Sequence, residues 1–316
     1  MQVARRRAAN KDTNTSTTTV ENPLFPHKMR LHLQVLVALI TCSAVPGTLA
    51  YKPVVILHGI LSGAESMASL VREIEEFHPG TIVYNCDKFS GWYSLENAWR
   101  QVDQVRDYLN EVGKLHPEGI IVLGYSQGGL LARAAIQSLP EHNVKTFISL
   151  SSPQAGQYGT SFLHLIFPDL AAKTAFELFY SRVGQHTSVG GYWNDPQRQD
   201  LYMKYSEFLP LINNEKKSSN STSFKMGMVR LDKLVMIGGP NDDVITPWES
   251  SHFSYFDENM DVIPFIKRTI FTSDSIGIRT LQEAGKLIIV VKPHVHHLAW
   301  HTRRDVIHEV IMPYLD

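Results

Sequence analysis

Cysteine is scarce in this chain of 316 residues, which contains only Cys42 and Cys86. Cleavage of the N-terminal segment described below would remove Cys42 and leave Cys86 alone, so no internal disulfide is expected. The chain also lacks an excess of charge of either sign, because 30 basic residues face 31 acidic ones. A formal net charge of −1 gives the whole molecule no electrostatic preference for nucleic acid or for an anionic membrane. We therefore expect no nucleic-acid partner.

The spacings of common metal sites are missing as well. The chain has 14 histidines but neither an H-E-x-x-H nor a C-x-x-C motif. We therefore expect no metal site, and the chemistry proposed below needs no organic cofactor.

The N-terminus has no apolar run long enough for a comfortable membrane span. Residues 1–28 are polar and are expected to be a disordered leader of doubtful status, since Met29 offers a later start. Residues 29–50 resemble a secretory signal peptide, with an apolar run around Leu36 to Ile40 and small residues at the end. The run has no stop-transfer flank, so a stable membrane anchor is not expected, although a signal anchor is the alternative. The mature chain is predicted to begin near Tyr51.

A glycosylation sequon supports the secretory interpretation. Asn220 begins the sequence Asn-Ser-Thr within a polar stretch, as is typical of a surface loop in a secretory protein. We expect Asn220 to carry a glycan.

Apolar strands and amphipathic helices alternate from residue 51 onward. Strands are predicted at residues 53–58, 81–84, 120–123 and 144–150, separated by helices at 66–77, at 94–115 with Ser94 as N-cap, and from 129 onward. Later strands follow at 233–237 and 287–291. This order predicts an α/β fold, with a mostly parallel central sheet flanked by helices and connected by right-handed crossovers.

Strong strand signals are lacking between about residues 154 and 232. This stretch contains apolar helical pieces, at 162–167 and 171–180, and recurring aromatic residues. It is expected to be a helical cap inserted over the carboxyl edge of the sheet, where it could cover a long acyl chain. The alternative is a small helical subdomain whose aromatic side chains are internal core.

The sequence Gly124-Tyr125-Ser126-Gln127-Gly128 follows a predicted strand and precedes a helix. A G-x-S-x-G motif in this context exposes a nucleophilic serine at the top of a parallel sheet, and the tight turn demands small flanking residues. The start of the helix also offers free backbone N–H groups and a positive dipole end. Ser126 is therefore the candidate nucleophile; the alternative is a serine in an ordinary βα turn.

An oxyanion hole is predicted beside this serine. A loop after the first strand supplies one backbone N–H in hydrolases of this kind, and the residue after His58-Gly59 is Ile60. The second donor is expected from Gln127, the residue after the nucleophile. A plain strand end with a glycine turn is the alternative interpretation of the first loop.

The acid of a Ser-His-Asp triad is expected after a late strand, because the order along the chain in this fold is Ser, Asp, His. Asp242 is the first choice and Asp243 the reserve, in the glycine-rich loop that follows strand 233–237. The alternative is an Asx turn or a helix cap.

The base should follow the last strand, where four histidines compete. His297 is preferred because it lies late in the loop and precedes an apolar pair that can fix the turn. The alternatives are His296, then His301, then His294.

The triad would not by itself identify the bond that is cleaved. A thiolate with a conjugate pKa near ~8.5 leaves with little general-acid help, so the same groups could hydrolyse a thioester or an oxyester. The evidence for the substrate must come from elsewhere in the chain.

Several longer segments resemble palmitoyl-protein thioesterases, over roughly residues 51–316. The matching segments are VVILHGIL at 54–61, GYSQGGLLAR at 124–133, FISLSSPQAGQYG at 147–159, YWNDP at 192–196, IGGPNDDVITPWESS at 237–251 and HLAWH at 297–301. The resemblance implies an α/β-hydrolase of the lysosome that removes long-chain acyl groups from thioesters such as palmitoyl-CoA.

The same resemblance implies roles for single residues. Ser126, Asp242 and His297 would form the triad, with Ile60 and Gln127 at the oxyanion hole. The competing functions are a secreted lipase or carboxylesterase acting on oxyesters, and a non-catalytic lipid-binding shell with this fold.

Overall fold

The computed structural model describes residues 51–164 and 169–316. The predicted leader at 1–28, the predicted signal at 29–50 and the end of the helical piece at 162–167 lie outside the described residues. Among the helices that are described, none is both long and apolar enough to cross a membrane.

The described strands form one large sheet and one small hairpin. In chain order they are β1 (Val54–Leu57), β2 (Val83–Asn85), β3 (Ile120–Tyr125), β4 (Val144–Leu150), β5 (Lys233–Gly238), β6 (Tyr255–Phe256), β7 (Val262–Ile263) and β8 (Leu287–Val291). Six of them pair in parallel in the order β2-β1-β3-β4-β5-β8, while β6 and β7 pair antiparallel. The predicted parallel sheet is confirmed, and the β6–β7 hairpin was not foreseen.

The described helices flank and extend this sheet. They are α1 (Ala68–Phe77), α2 (Ala98–Leu115), α3 (Gln127–Gln137), α4 (Ala172–Phe179), α5 (Arg182–Gln185), α6 (Ser188–Tyr192), α7 (Gln199–Tyr205), α8 (Leu209–Ile212), α9 (Ser221–Val229), α10 (Thr269–Thr272), α11 (Ile278–Glu283) and α12 (Arg304–Val306). A π-helical turn continues α12 over Ile307–Ile311.

The sheet is buried on both faces, which explains why its central strands are apolar without alternation. Successive side chains of a strand point to opposite faces, so one apolar run feeds two cores. In β3, Ile120 and Val122 join one core and Ile121 and Leu123 join the other. Parallel pairing then brings the carboxyl ends of β1, β3, β4, β5 and β8 to one edge, where the predicted site residues lie.

The start of α2 differs from the prediction. The N-cap is Asn97, whose side-chain oxygen accepts a hydrogen bond from the backbone N–H of Trp99 at 3.0 Å. Ser94 lies in a preceding 3₁₀ turn, Gly91–Leu95, and its hydroxyl accepts from the backbone N–H of Leu61. Serine and asparagine are both good N-caps, so local sequence could not choose between them.

Between β4 and β5 the described residues form the helices α4 to α9 and an isolated bridge between Gln157 and Trp193. Most of the aromatic residues noted in this stretch are buried in the same core as one face of the sheet, namely Tyr192, Trp193, Tyr202 and Phe208. For these four side chains the alternative interpretation, internal core, is what the structure shows.

Candidate active site

Ser126 occupies the sharp turn between β3 and α3. Its backbone has φ 54° and ψ −128°, a conformation that a residue other than glycine rarely adopts. A Cβ atom at Gly124 would lie 2.4 Å from Cα of Gly129, and one at Gly128 would lie 2.3 Å from the carbonyl oxygen of His58. The small residues predicted on both sides of the serine are therefore required, because strand and helix approach too closely for any side chain.

His297 lies beside this serine, on the loop after β8. Its Nε2 atom is 2.9 Å from Oγ of Ser126. The hydroxyl of Tyr125 donates to the carbonyl oxygen of His297 at 2.9 Å, and the backbone N–H of His297 donates to Oδ1 of Asp243 at 2.9 Å. The main chain of His297 is thus held from two sides, which orients its ring.

Asp242 completes a chain of contacts to the serine. Its Oδ2 and Oδ1 atoms lie 2.9 and 3.1 Å from Nδ1 of His297. Oδ1 also accepts from the backbone N–H groups of Val244 at 3.0 Å and Ile245 at 2.9 Å. The Asx turn considered as an alternative therefore exists, but the same carboxylate also contacts the histidine. The reserve candidate, Asp243, accepts instead from the backbone N–H of His297 and lies 3.7 Å from the ring of His296, and it has no hydrogen bond to the ring of His297.

Two further side chains donate to Asp242, and neither was identified from the sequence. The indole N–H of Trp300 donates to Oδ2 at 2.8 Å, and the hydroxyl of Ser151 also donates to Oδ2. Trp300 is fully buried, and Ser151 directly follows β4 with a positive φ of 44°. Both lie within segments that carried the family resemblance, which is the one signal that could have pointed to them.

The hydrogen bonds to Asp242 determine its charge state. Burial by itself would raise the pKa of this carboxyl. The hydrogen bond from His297 and its charge lower the pKa, as do the hydrogen bonds from Ser151 and from the Ile245 amide, and together these outweigh burial. The pKa of Asp242 therefore lies below its usual value, and the group is a carboxylate at neutral pH.

The other three histidines of this loop do not reach the serine. His296 is largely exposed, and His294 has a positive φ of 62° with its main chain bound to Asn241. His301 is buried with its ring edge-on to Tyr125, 4.4 Å between centroids, and burial lowers its pKa to about 4. Among these four candidates, His297 is the one within hydrogen-bond distance of Ser126.

The loop predicted to hold an oxyanion donor lies directly against the serine. A Cβ atom at Gly59 would be 3.2 Å from Cβ of Ser126. Within residues 51–164 and 169–316, the backbone N–H groups of Ile60 and Gln127 take part in no hydrogen bond. Gln127 is the first residue of α3, where helix geometry leaves the N–H free.

The ring of His58 and the hydroxyl of Ser62 hold this loop. The ring nitrogens of His58 lie 2.8 Å from the carbonyl oxygens of Gly59 and Lys88, and Ser62 donates to Gly59 at 3.0 Å. The Gly59 carbonyl belongs to the same peptide unit as the Ile60 N–H. Because the two groups of a trans peptide point in opposite directions, these contacts orient the Ile60 N–H.

Other predicted features have simpler surroundings. Asn220 is exposed at the start of α9, and its side chain forms no capping hydrogen bond. Cys86 is a buried free thiol whose pKa is raised by burial, which disfavours the reactive thiolate. In the part of the chain that the structure describes, no group of three or more candidate ligands could hold a metal ion.

The fold is that of an α/β-hydrolase. Three features define it: the parallel sheet, the sharp turn at Ser126, and the loops of Asp242 and His297, which follow the serine in that order along the chain. A sequence model of the family described as palmitoyl protein thioesterase matches residues 53–297. The chain belongs to the palmitoyl protein thioesterase family, whose members are acyl-thioester hydrolases.

Two similar proteins are named lysosomal thioesterases. The chain is 94% identical over 288 residues to the lysosomal thioesterase PPT2 homolog of Drosophila melanogaster, covering 91% of this chain and 100% of the relative. It is 39% identical over 286 residues to lysosomal thioesterase PPT2 of Homo sapiens, and this match covers 90% of this chain and 95% of the relative. A solved monoacylglycerol lipase from Paleococcus ferrophilus aligns over 84% of this chain and 95% of its own, with 16% identity and a TM-score of 0.47.

Proposed function

We propose that this chain hydrolyses fatty-acyl thioesters, such as palmitoyl-CoA or other S-acyl substrates, through a Ser126–His297–Asp242 triad and an acyl-enzyme. The observation that carries the proposal is the unbroken line of contacts from Ser126 Oγ through both ring nitrogens of His297 to Asp242. The membership of this chain in the palmitoyl protein thioesterase family supports the proposed class of substrate.

Acylation begins when Oγ of Ser126 attacks the thioester carbonyl. Nε2 of His297 accepts the hydroxyl proton, and the Asp242 carboxylate on the other ring nitrogen stabilises the imidazolium. The carbonyl oxygen becomes an oxyanion that accepts from the backbone N–H groups of Ile60 and Gln127. The C–S bond then breaks, and the thiolate leaves with little acid help because the conjugate thiol has a pKa near ~8.5. The imidazolium of His297 then gives its proton to the departing sulfur, so the free thiol is released and His297 is again a neutral base.

Deacylation repeats the chemistry with water. His297 accepts a proton from water, the resulting hydroxide attacks the acyl-Ser126 carbonyl, and the same two N–H groups bind the second oxyanion. Collapse of this intermediate breaks the ester bond to Ser126, returns the proton to its oxygen and releases the fatty acid.

The helical insertion at about residues 154–232 is proposed to cover the acyl chain. Supporting this, the hydroxyl of Tyr192 in α6 donates to the side-chain oxygen of Gln127 at 3.1 Å. A side chain of the insertion therefore contacts the residue next to the nucleophile, which supports a role of this region in covering the acyl chain.

The lysosome, reached through the secretory pathway, is the proposed location. The relatives named above are called lysosomal thioesterases. The signal predicted at residues 29–50 and the exposed sequon asparagine, Asn220, are compatible with that route. Immunofluorescence of the tagged chain with a lysosomal marker tests the proposal, and an electrophoretic shift after removal of N-glycans tests Asn220.

The decisive experiment compares a thioester and an oxyester with the same acyl chain. Purified wild-type and Ser126→Ala proteins are offered palmitoyl-CoA and a palmitoyl oxyester. We expect faster turnover of the thioester and a loss of at least about 10⁴-fold in the alanine variant. Faster turnover of the oxyester would instead favour a lipase or carboxylesterase, and equal activity in both proteins would refute the mechanism.

A further inference from the structure

A buried polar cluster lies behind the two proposed oxyanion donors and takes no part in the mechanism above. Its centre is Ser94, which is 1% exposed and lies in the 3₁₀ turn Gly91–Leu95. A cavity of about 10 Å³ beside it, lined in part by Gly59, Ser94, Gln101 and Gln127, is far too small for a substrate. Ser94 therefore does not contact the substrate, and its effect passes through other residues.

The hydroxyl of Ser94 holds the loop that carries Ile60. It accepts from the backbone N–H of Leu61 at 2.7 Å and donates to the carbonyl oxygen of Gly91 at 2.6 Å. Leu61 has a φ of 55°, in the left-handed region that residues other than glycine avoid. The hydrogen bond stabilises this conformation and fixes the peptide unit that immediately follows Ile60.

The backbone carbonyl of Ser94 holds the second donor residue. It accepts from the side-chain amide of Gln127 at 2.7 Å, that of Gln101 at 2.9 Å and the hydroxyl of Ser188 at 2.9 Å. The side-chain nitrogen of Gln127 also donates to Oε1 of Gln101 at 3.3 Å, and the side-chain oxygen of Gln127 accepts from the hydroxyl of Tyr192. Both polar atoms of this side chain therefore have partners. The first residue of α3 is thereby fixed relative to Ser94.

We propose that Ser94 is a positioning residue that sets both oxyanion donors relative to Ser126. Its hydroxyl holds the Ile60 loop and its carbonyl holds Gln127, so one buried residue determines the separation of the two N–H groups. Donors of this kind act only when they are preorganised within a fraction of an ångström of where the oxyanion forms. The inference rests on the function proposed above.

The test removes the hydroxyl and leaves the carbonyl. Ser94→Ala is compared with Ser254→Ala, a matched control whose buried hydroxyl also accepts from a backbone N–H, that of Phe265 at 2.9 Å, but lies outside the site. Turnover of palmitoyl-CoA and inhibition by a palmityl trifluoromethyl ketone, which forms an oxyanion on Ser126, are measured.

For Ser94→Ala we expect kcat to fall about 10- to 100-fold with KM within about twofold, because the oxyanion is destabilised and the ground state is not. The ketone should bind more weakly by a similar factor. Ser254→Ala should match the wild type in both measurements. Unchanged kcat and ketone affinity in Ser94→Ala, or a rise in KM alone, would overturn the proposal.

A second variant covers the case in which Ser94→Ala does not fold. Ser94→Cys keeps a single heavy atom beyond Cβ and replaces the hydroxyl oxygen by sulfur, a weak acceptor, so it should show the same split between kcat and KM. Wild-type values in a folded Ser94→Cys protein would contradict the proposal. If the proposed thioesterase function itself is wrong, the result differs from both of these, because the wild-type protein then does not turn over palmitoyl-CoA in a Ser126-dependent way.

Discussion

At the scale of single residues, the feature that most distinguishes this site is the number of donors that converge on one carboxylate. Asp242 accepts hydrogen bonds from the ring of His297, the hydroxyl of Ser151, the indole of Trp300 and the amides of Val244 and Ile245. A carboxylate with so many partners is fixed in both charge and orientation. It can therefore select one tautomer of His297 without moving.

Replacement of each of the two neighbouring aspartates separates their roles. Asp242→Asn is expected to lower kcat by about 10⁴-fold, because an amide no longer stabilises the imidazolium and can favour the wrong tautomer. Asp243→Asn keeps an oxygen that can accept from the His297 backbone N–H and should change kcat only slightly. Steady-state kinetics with palmitoyl-CoA measure both, and similar losses in the two variants would contradict the assignment of Asp242.

The indole of Trp300 is predicted to stabilise the folded protein through its hydrogen bond. Trp300→Phe leaves the Asp242 carboxylate one donor short, and a hydrogen bond to a charged group contributes about 1.5–3 kcal/mol. Trp193→Phe is the matched control, since Trp193 is equally buried but its indole N–H has no partner among the described residues. Free energies of unfolding from urea titrations should be lower for Trp300→Phe by roughly that amount. A larger loss at Trp193 would show that packing, not the hydrogen bond, dominates.

At the scale of secondary-structure elements, the strand–turn–helix from β3 to α3 is governed by close backbone contacts. The register pairs Leu57 of β1 with Gly124 of β3, so the end of β1 runs beneath the turn. A main-chain oxygen of this strand end leaves no space for a side chain at Gly128. The sharp turn that carries the nucleophile and the lack of side chains at the flanking glycines thus have the same cause.

Substitution of Gly128 should therefore disrupt the turn. A methyl group in Gly128→Ala would overlap the His58 carbonyl, which cannot move without shifting β1, so we expect loss of activity and a marked fall in the melting temperature. Gly80→Ala is the comparison: its φ is 94°, but nothing lies within 4 Å, so only backbone strain of about 1–2 kcal/mol applies. Thermal melts and activity assays would contradict this if Gly128→Ala were the milder change.

At the scale of the whole molecule, the sheet brings together residues that are far apart along the chain. Ser126 and His297 are separated by 171 positions, and the acid lies on a third loop. Around this site the protein buries histidines that the proposed mechanism does not use. Burial lowers the pKa of His252 and of His301, each to about 4. These two groups make the stability of the fold depend on pH.

Stability is predicted to fall as the pH drops from about 6.5 to about 4. In this window the unfolded histidines, with an ordinary pKa of ~6.5, bind protons that the folded ones do not, so the free energy of unfolding decreases by up to about 1.4 kcal/mol per pH unit for each histidine. The pKa of Asp242, which is lowered, adds a loss of stability only at more acidic pH, below its unfolded value of ~3.9. The stability conferred by neutral histidines is fully present above about pH 6.5.

Melting temperatures between pH 4 and 8 test this dependence. In His252→Gln the slope below about pH 6.5 should become shallower than in the wild type, because one of the two groups no longer takes up a proton on unfolding. A melting temperature that is flat over this range in the wild type, or a slope that His252→Gln leaves unchanged, would contradict the prediction.

The amino-acid sequence by itself determined the features that depend on near neighbours. The strands Val144–Leu150 and Leu287–Val291 have the predicted bounds, because an apolar run and its flanking turn residues are local properties. The turn at Ser126 was predictable in part for the same reason, since the need for glycine at position 124 arises from Gly128 and Gly129 a few residues further on, whereas the need for Gly128 arises from the end of β1.

Only the tertiary structure decided which residues meet. It brought His297 rather than His294, His296 or His301 to the serine, placed Asp242 rather than Asp243 on the histidine ring, and assigned Trp300, Ser151 and Ser94 to partners that no local pattern indicates. These contacts join loops at the ends of different strands. Their geometry depends on the order and register of the whole sheet, which no short segment of the chain contains.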